Sequence, residues 1–127
     1  MISPDTLVLL ASADESTRVS LTQTVSDLGL QQVDCASSGS EALAMLRDHA
    51  YALIISDVEL DDLDAWRLTR LVRSGVMPCE KQTPVIVVAR NWSARILETT
   101  AAEYGVEEVL PLATNSRMGE VIEKLLT

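Results

Sequence analysis

The chain has no phenylalanine, a single histidine and only two cysteines. Without Phe, Leu, Val, Ile and Ala must fill the core. Cys35 and Cys79 form no CxxC pair, Cys/His cluster or disulfide framework, so two reduced thiols in cytoplasm are expected. The lone His49 falls at the predicted end of the second helix, where a cation suits the terminus. That position argues against Ser/His and Cys/His hydrolase schemes. No GxGxxG and no Walker-type loop occurs, which argues against nucleotide-binding enzymes. No apolar run approaches the ~20 residues of a membrane span. No basic segment leads into an apolar one at the N-terminus, so no secretory signal is read. Positive charge is scarce: 10 Lys and Arg face 19 Asp and Glu, for a net charge of −9. Nucleic acid and anionic membranes repel such a surface. A protein or a cation remains as partner.

What the chain does have is nearly one half hydrophobic residues, spread over 127 positions, the size of one domain. Short apolar runs alternate with amphipathic segments. Leu7–Leu10, Leu53–Ile55 and Val85–Val88 read as strands buried on both faces. Gln32–Cys35 and Glu108–Leu110 are weaker strand patterns. Leu21, Val25 and Leu28 mark a first helix, stopped by Gly29. Ala42, Leu43, Leu46 and Ala50 mark a second, opened by Ser38 and Glu41 at capping-box spacing. Ala65, Leu68, Leu71 and Val72 form a third stripe, Ile96, Thr100 and Tyr104 a fourth, and Met118, Val121, Ile122 and Leu125 a fifth. Ser74–Thr83 reads as a surface loop. Strict alternation implies an α/β fold of three layers with a parallel sheet. Five strands favour the flavodoxin-like order 2-1-3-4-5, with ligands beyond the carboxyl ends of the strands.

Asp57 follows the central strand and should face that cleft. A carboxylate there could accept a phosphoryl group as an acyl phosphate, or be one solvated acid among several. The run Tyr51-Ala52-Leu53-Ile54-Ile55-Ser56-Asp57-Val58-Glu59-Leu60 resembles the third strand of bacterial response-regulator receiver domains, whose aspartate is the phosphoacceptor. Ser38–Leu43, Thr83–Val88 and Tyr104–Pro111 resemble the same family, in the same order and spacing. The resemblance spans nearly the whole chain and implies a single (βα)5 receiver-like domain over 1–127. Receivers often precede an output domain.

The resemblance also shows departures. Receivers place two adjacent acids after the first strand to hold a divalent cation; Ser12 and Ala13 stand there. The hydroxyl residue ending the fourth strand becomes Ala89, the aromatic switch residue Val109, and the lysine after the fifth strand Leu112. Phosphoryl transfer rests on positioning and charge stabilisation. Losing one stabiliser costs on the order of 10²–10³ in rate. A degenerate receiver acting through protein contacts is therefore expected, and not an enzyme. The alternative is a working phosphoacceptor, phosphorylated on Asp57 by a histidine kinase in a phosphorelay. There Asp14, Asp57 and Glu59 would hold Mg²⁺ weakly. Against that metal role, Ser12–Glu15 has capping-box spacing, which favours helix capping for these acids. Glu59, Asp61, Asp62 and Asp64 read as a solvated acidic loop that lacks the EF-hand glycine. Arg90 is the one substitute for the missing positive charge, or an exposed loop arginine. Trp66 and Trp92 could anchor a partner or pack partly buried. The resemblance implies a histidine kinase or downstream signalling protein as partner, and a homodimer face formed by the fourth helix, fifth strand and fifth helix, here Ile96–Tyr104 and Arg117–Leu126. A small flavodoxin-like enzyme or cofactor binder is the reading from another class.

Overall fold

The computed structural model describes residues 5–58, 60, 62–89, 103, 108–111 and 115–126. In chain order they form β1 (Leu7–Ala11), α1 (Glu15–Asp27), β2 (Gln32–Ala36), α2 (Gly39–Asp48), β3 (Leu53–Asp57), α3 (Ala65–Arg73), β4 (Val85–Ala89), β5 (Glu108–Pro111) and α4 (Asn115–Leu126). Of the helix expected between β4 and β5, only Glu103 is among the described residues. The five strands pair in parallel in the order β2-β1-β3-β4-β5, as the alternating pattern predicts.

Alternate strand residues supply two cores, because successive side chains point to opposite faces. Leu9, Ala11, Ile54, Val85 and Val87 pack with Ala42 and Leu46 of α2 and with Ala65, Leu68 and Val72 of α3. Val8, Leu10, Leu53, Ile55, Ile86 and Val88 pack on the other face with Leu21 and Val25 of α1 and Met118, Val121 and Ile122 of α4. The first, second, third and fifth helical stripes read from the sequence thus supply both outer layers, the fourth lying outside the described residues. Ala50 is the exception, since α2 ends at Asp48 with His49 as its C-cap. Trp66 is 7% exposed and belongs to the α2–α3 core, so it is a packing residue. Trp92 lies outside the described residues.

Helix boundaries follow local chemistry. Gly29 sits at φ +88°, a left-handed conformation that glycine adopts without strain, and ends α1. Ser38 accepts from the Glu41 amide at 3.1 Å and starts α2. The Ser74–Thr83 segment is irregular, yet it inserts Met77 and Cys79 into the core. Arg73 braces it by donating to the Lys81 and Thr83 carbonyls at 2.8 and 2.6 Å. At the opposite end of the sheet from Asp57, buried Tyr51 donates to Asp34 Oδ2 at 2.6 Å.

Candidate functional site

All five strands run in one direction, so their carboxyl ends gather on one edge of the sheet. Asp57 ends β3 there, in register with Val88 of β4. Its neighbours hold the backbone in place: the Val58 amide donates to the Val88 carbonyl at 3.2 Å, and Ala65 returns a bond to the Val58 carbonyl at 2.9 Å. Asp57 is 6% exposed, more enclosed than a strand-end carboxylate facing an open cleft was expected to be.

Part of that cover comes from the β1–α1 loop. Ser12 is fully buried, and its hydroxyl donates to Asp57 Oδ2. The Ser12 Oγ also accepts from the Asp14 amide at 3.2 Å. The Ser12 backbone is fixed on both sides. Its amide donates to the Ala36 carbonyl at 3.0 Å, and its carbonyl accepts from Arg18 Nη1 at 2.7 Å. Spacing alone pointed to a capping box led by Ser12. The structure corrects this by two residues: Asp14 is the N-cap, and Ser12 is turned inward to the acceptor position.

Asp14 is correspondingly engaged. Its Oδ2 accepts from the Thr17 amide at 2.9 Å, the Thr17 hydroxyl at 2.7 Å and the Ser16 hydroxyl at 2.6 Å. This is the capping arrangement that Ser, Thr and Asp favour at a helix start. Glu59, the other acid considered for a cation, lies outside the described residues, as do Arg90 and Leu112. Ala13 is exposed beside Ser12. Ala89 ends β4 opposite Pro111, and Val109 pairs with Val87. Among the described residues, no three His, Cys, Asp or Glu side chains cluster as metal ligands would. A cation of the Mg²⁺ type wants several oxygen ligands in octahedral array. The described donors do not fit it: Asp14 is committed to a helix, and Ser12 presents a proton to Asp57 rather than a lone pair to a metal.

Sequence reasoning missed the role of Asp62. Its carboxylate reaches α2, accepting from the Gly39 amide at 2.9 Å, the Ser40 amide at 3.2 Å and the Ser40 hydroxyl. The Ser40 hydroxyl, aided by the two amides, holds the Asp62 carboxyl below its ordinary value. Asp64 stays local, capping α3 through the Arg67 amide at 2.8 Å. Of the acidic loop read as solvated, these two residues thus have defined structural work. The signal for Asp62 was present only as Ser38-Gly39-Ser40, a helix start with no side chain at its first position.

The comparisons agree with this geometry. Residues 8–116 match the family model of the response regulator receiver domain. The chain is 32% identical over 104 residues to the transcriptional regulatory protein HprR of Escherichia coli, covering 79% of this chain and 44% of that protein. It is 25% identical over 103 residues to a probable chemotaxis protein CheY of Rhizobium etli, covering 81% and 78%. The chain therefore spans less than half the length of HprR. The fold superposes on the chemotaxis protein CheY4 of Vibrio cholerae with a TM-score of 0.82 at 21% identity, covering 95% of this chain and 98% of that one. With a parallel sheet in the order 2-1-3-4-5, an aspartate ending its central strand and a family match across most of its length, the chain belongs to the response-regulator receiver domains of two-component signalling.

Proposed function

We propose that this receiver is degenerate: it works by protein–protein contact, and Asp57 is not a productive phosphoacceptor. The observation that carries this reading is the Ser12 hydroxyl bonded to Asp57 Oδ2. A carboxylate accepting a hydrogen bond from a neighbour has part of its nucleophilic lone-pair density occupied. Attack on a phosphoryl group also needs positive charge to balance the approaching anions. Ser12 is neutral, and the acid nearest to it in sequence, Asp14, caps α1. Ala89, Val109 and Leu112 carry no hydroxyl, phenol or amine toward the same chemistry. The partners fitting this reading are a histidine kinase or a downstream signalling protein in the cytoplasm, with 1–127 acting as one domain. The homodimer face expected from the fourth helix, fifth strand and fifth helix belongs to the same proposal, whereas Arg90 as charge substitute would favour the phosphoacceptor alternative.

The test is direct. The protein is incubated with Mg²⁺ and a small phosphodonor, and its intact mass is followed. The expected result is no phosphoryl adduct. A stoichiometric adduct that disappears in Asp57→Asn would overturn degeneracy and establish the phosphoacceptor alternative, with Mg²⁺ held near Asp57.

A further inference from the structure

Beyond the acceptor chemistry, we propose that Asp62 is an intramolecular strap: its carboxylate ties the β3–α3 segment, which follows Asp57 directly, to the first turn of α2. Two independent contacts build it. The first is the set of hydrogen bonds from the Gly39 and Ser40 amides and the Ser40 hydroxyl to Asp62. The second is steric. A Cβ at Gly39 would lie 2.3 Å from Leu63 Cβ and 2.9 Å from the Leu63 carbonyl oxygen, so the segment seats where only glycine leaves room.

The strap is not the ordinary cap of α2. A helix start leaves four amides unsatisfied. Ser38 already serves the Glu41 amide from within the chain's own turn. Asp62 takes the Gly39 and Ser40 amides from 23 and 22 residues away. Its negative charge also suits the positive end of the helix. Asp64 caps α3 and Val58 is bonded to β4, so the two ends of the segment are anchored on their own elements. Between them Leu60 is buried in the α2–α3 core and Leu63 packs against it, while Asp62 adds an exposed attachment to the start of a different helix. An exposed attachment is released at small cost, and its release loosens the backbone around Asp62 while Val58 and Leu60 stay packed. The strap thus couples order next to Asp57 to the start of α2.

Hydrogen exchange read by mass spectrometry on the whole chain tests this, with no phosphodonor present, so the outcome is separable from that of the acceptor test. Asp62→Ala and Asp62→Asn should accelerate exchange across residues 58–64 by at least ~5-fold, while β1 and β3 keep wild-type protection. Ser38→Ala, which weakens α2 from its own side, should leave 58–64 as it was. Unchanged exchange at 58–64 in both Asp62 variants would overturn the proposal. So would equal loosening by Ser38→Ala. Uniform acceleration, or loss of the fold in Asp62→Asn, would also overturn it, because a strap opens without unfolding the domain.

Discussion

Ser12 and Asp57, 45 residues apart, meet through a hydrogen bond between hydroxyl and carboxylate at the carboxyl edge of the sheet. A serine fits between the two loops where a second acid would set like charges against each other. Ser12→Asp combined with Ala13→Asp should therefore strengthen cation binding beside Asp57. Calorimetric titration should show wild-type Mg²⁺ affinity no tighter than about 1 mM and at least about tenfold tighter binding in the double variant. Without Mg²⁺ the double variant should melt below wild type, since paired carboxylates repel. Equal Mg²⁺ affinity in the two proteins would show that the serine does not set the cation chemistry.

Acid should remove the contribution of Asp62. Its folded value lies below the ordinary 3.8, chiefly through the Ser40 hydroxyl. A lowered folded value contributes stability above the unfolded one, and that contribution fades as pH falls through the folded value. The melting-temperature gap between wild type and Asp62→Asn should be full at pH 7 and close below about pH 4. A gap independent of pH would mean that the charge plays no part.

Tyr51 behaves in the opposite sense. Burial, then its bond to Asp34, pushes the phenol well above its ordinary 10.0. A raised folded value contributes stability below the unfolded one, and this is lost as pH rises past 10. Tyr51→Phe should cost about 1–2 kcal/mol at pH 7, the range for a hydrogen bond to a charged acceptor in partial burial. Denaturant titrations of the two proteins should converge above about pH 10.

Gly39→Ala places a methyl group against Leu63 and should cost about 1–3 kcal/mol, as overpacking does. Urea unfolding at constant m-value measures it. Gly119→Ala is the control, since its added Cβ would lie at an ordinary 3.6 Å from Leu28. The control should be neutral or slightly stabilising in mid-helix.

The fold was readable because its signal is periodic. Leu7–Leu10, Leu53–Ile55 and Val85–Val88 are continuous apolar runs, and a strand covered on both faces needs that pattern. Leu21 with Val25, and Leu68 with Val72, mark helix faces in the same way. Asp57 was readable from its place after the central run. Its enclosure was not, because Ser12 reaches it across two strands' worth of chain. The choice between Ser12 and Asp14 as cap turned on a shift of two residues, within the usual uncertainty of helix ends. Asp62 stood among several acids with no local feature to single it out. Its partner amides belong to a helix that starts 23 residues earlier. Pairings of that kind are fixed by tertiary approach rather than by spacing.

The irregular stretch that carries Cys79 inward leaves the two thiols in unlike surroundings. Cys79 is 4% exposed within the α2–α3 core, whereas Cys35 is half-buried on the edge strand β2 beside Thr22 and the exposed Val19 of α1. A maleimide dye should therefore attach to Cys35 first in the folded protein, giving a fluorescent reporter on the outer rim of the sheet without any engineered substitution.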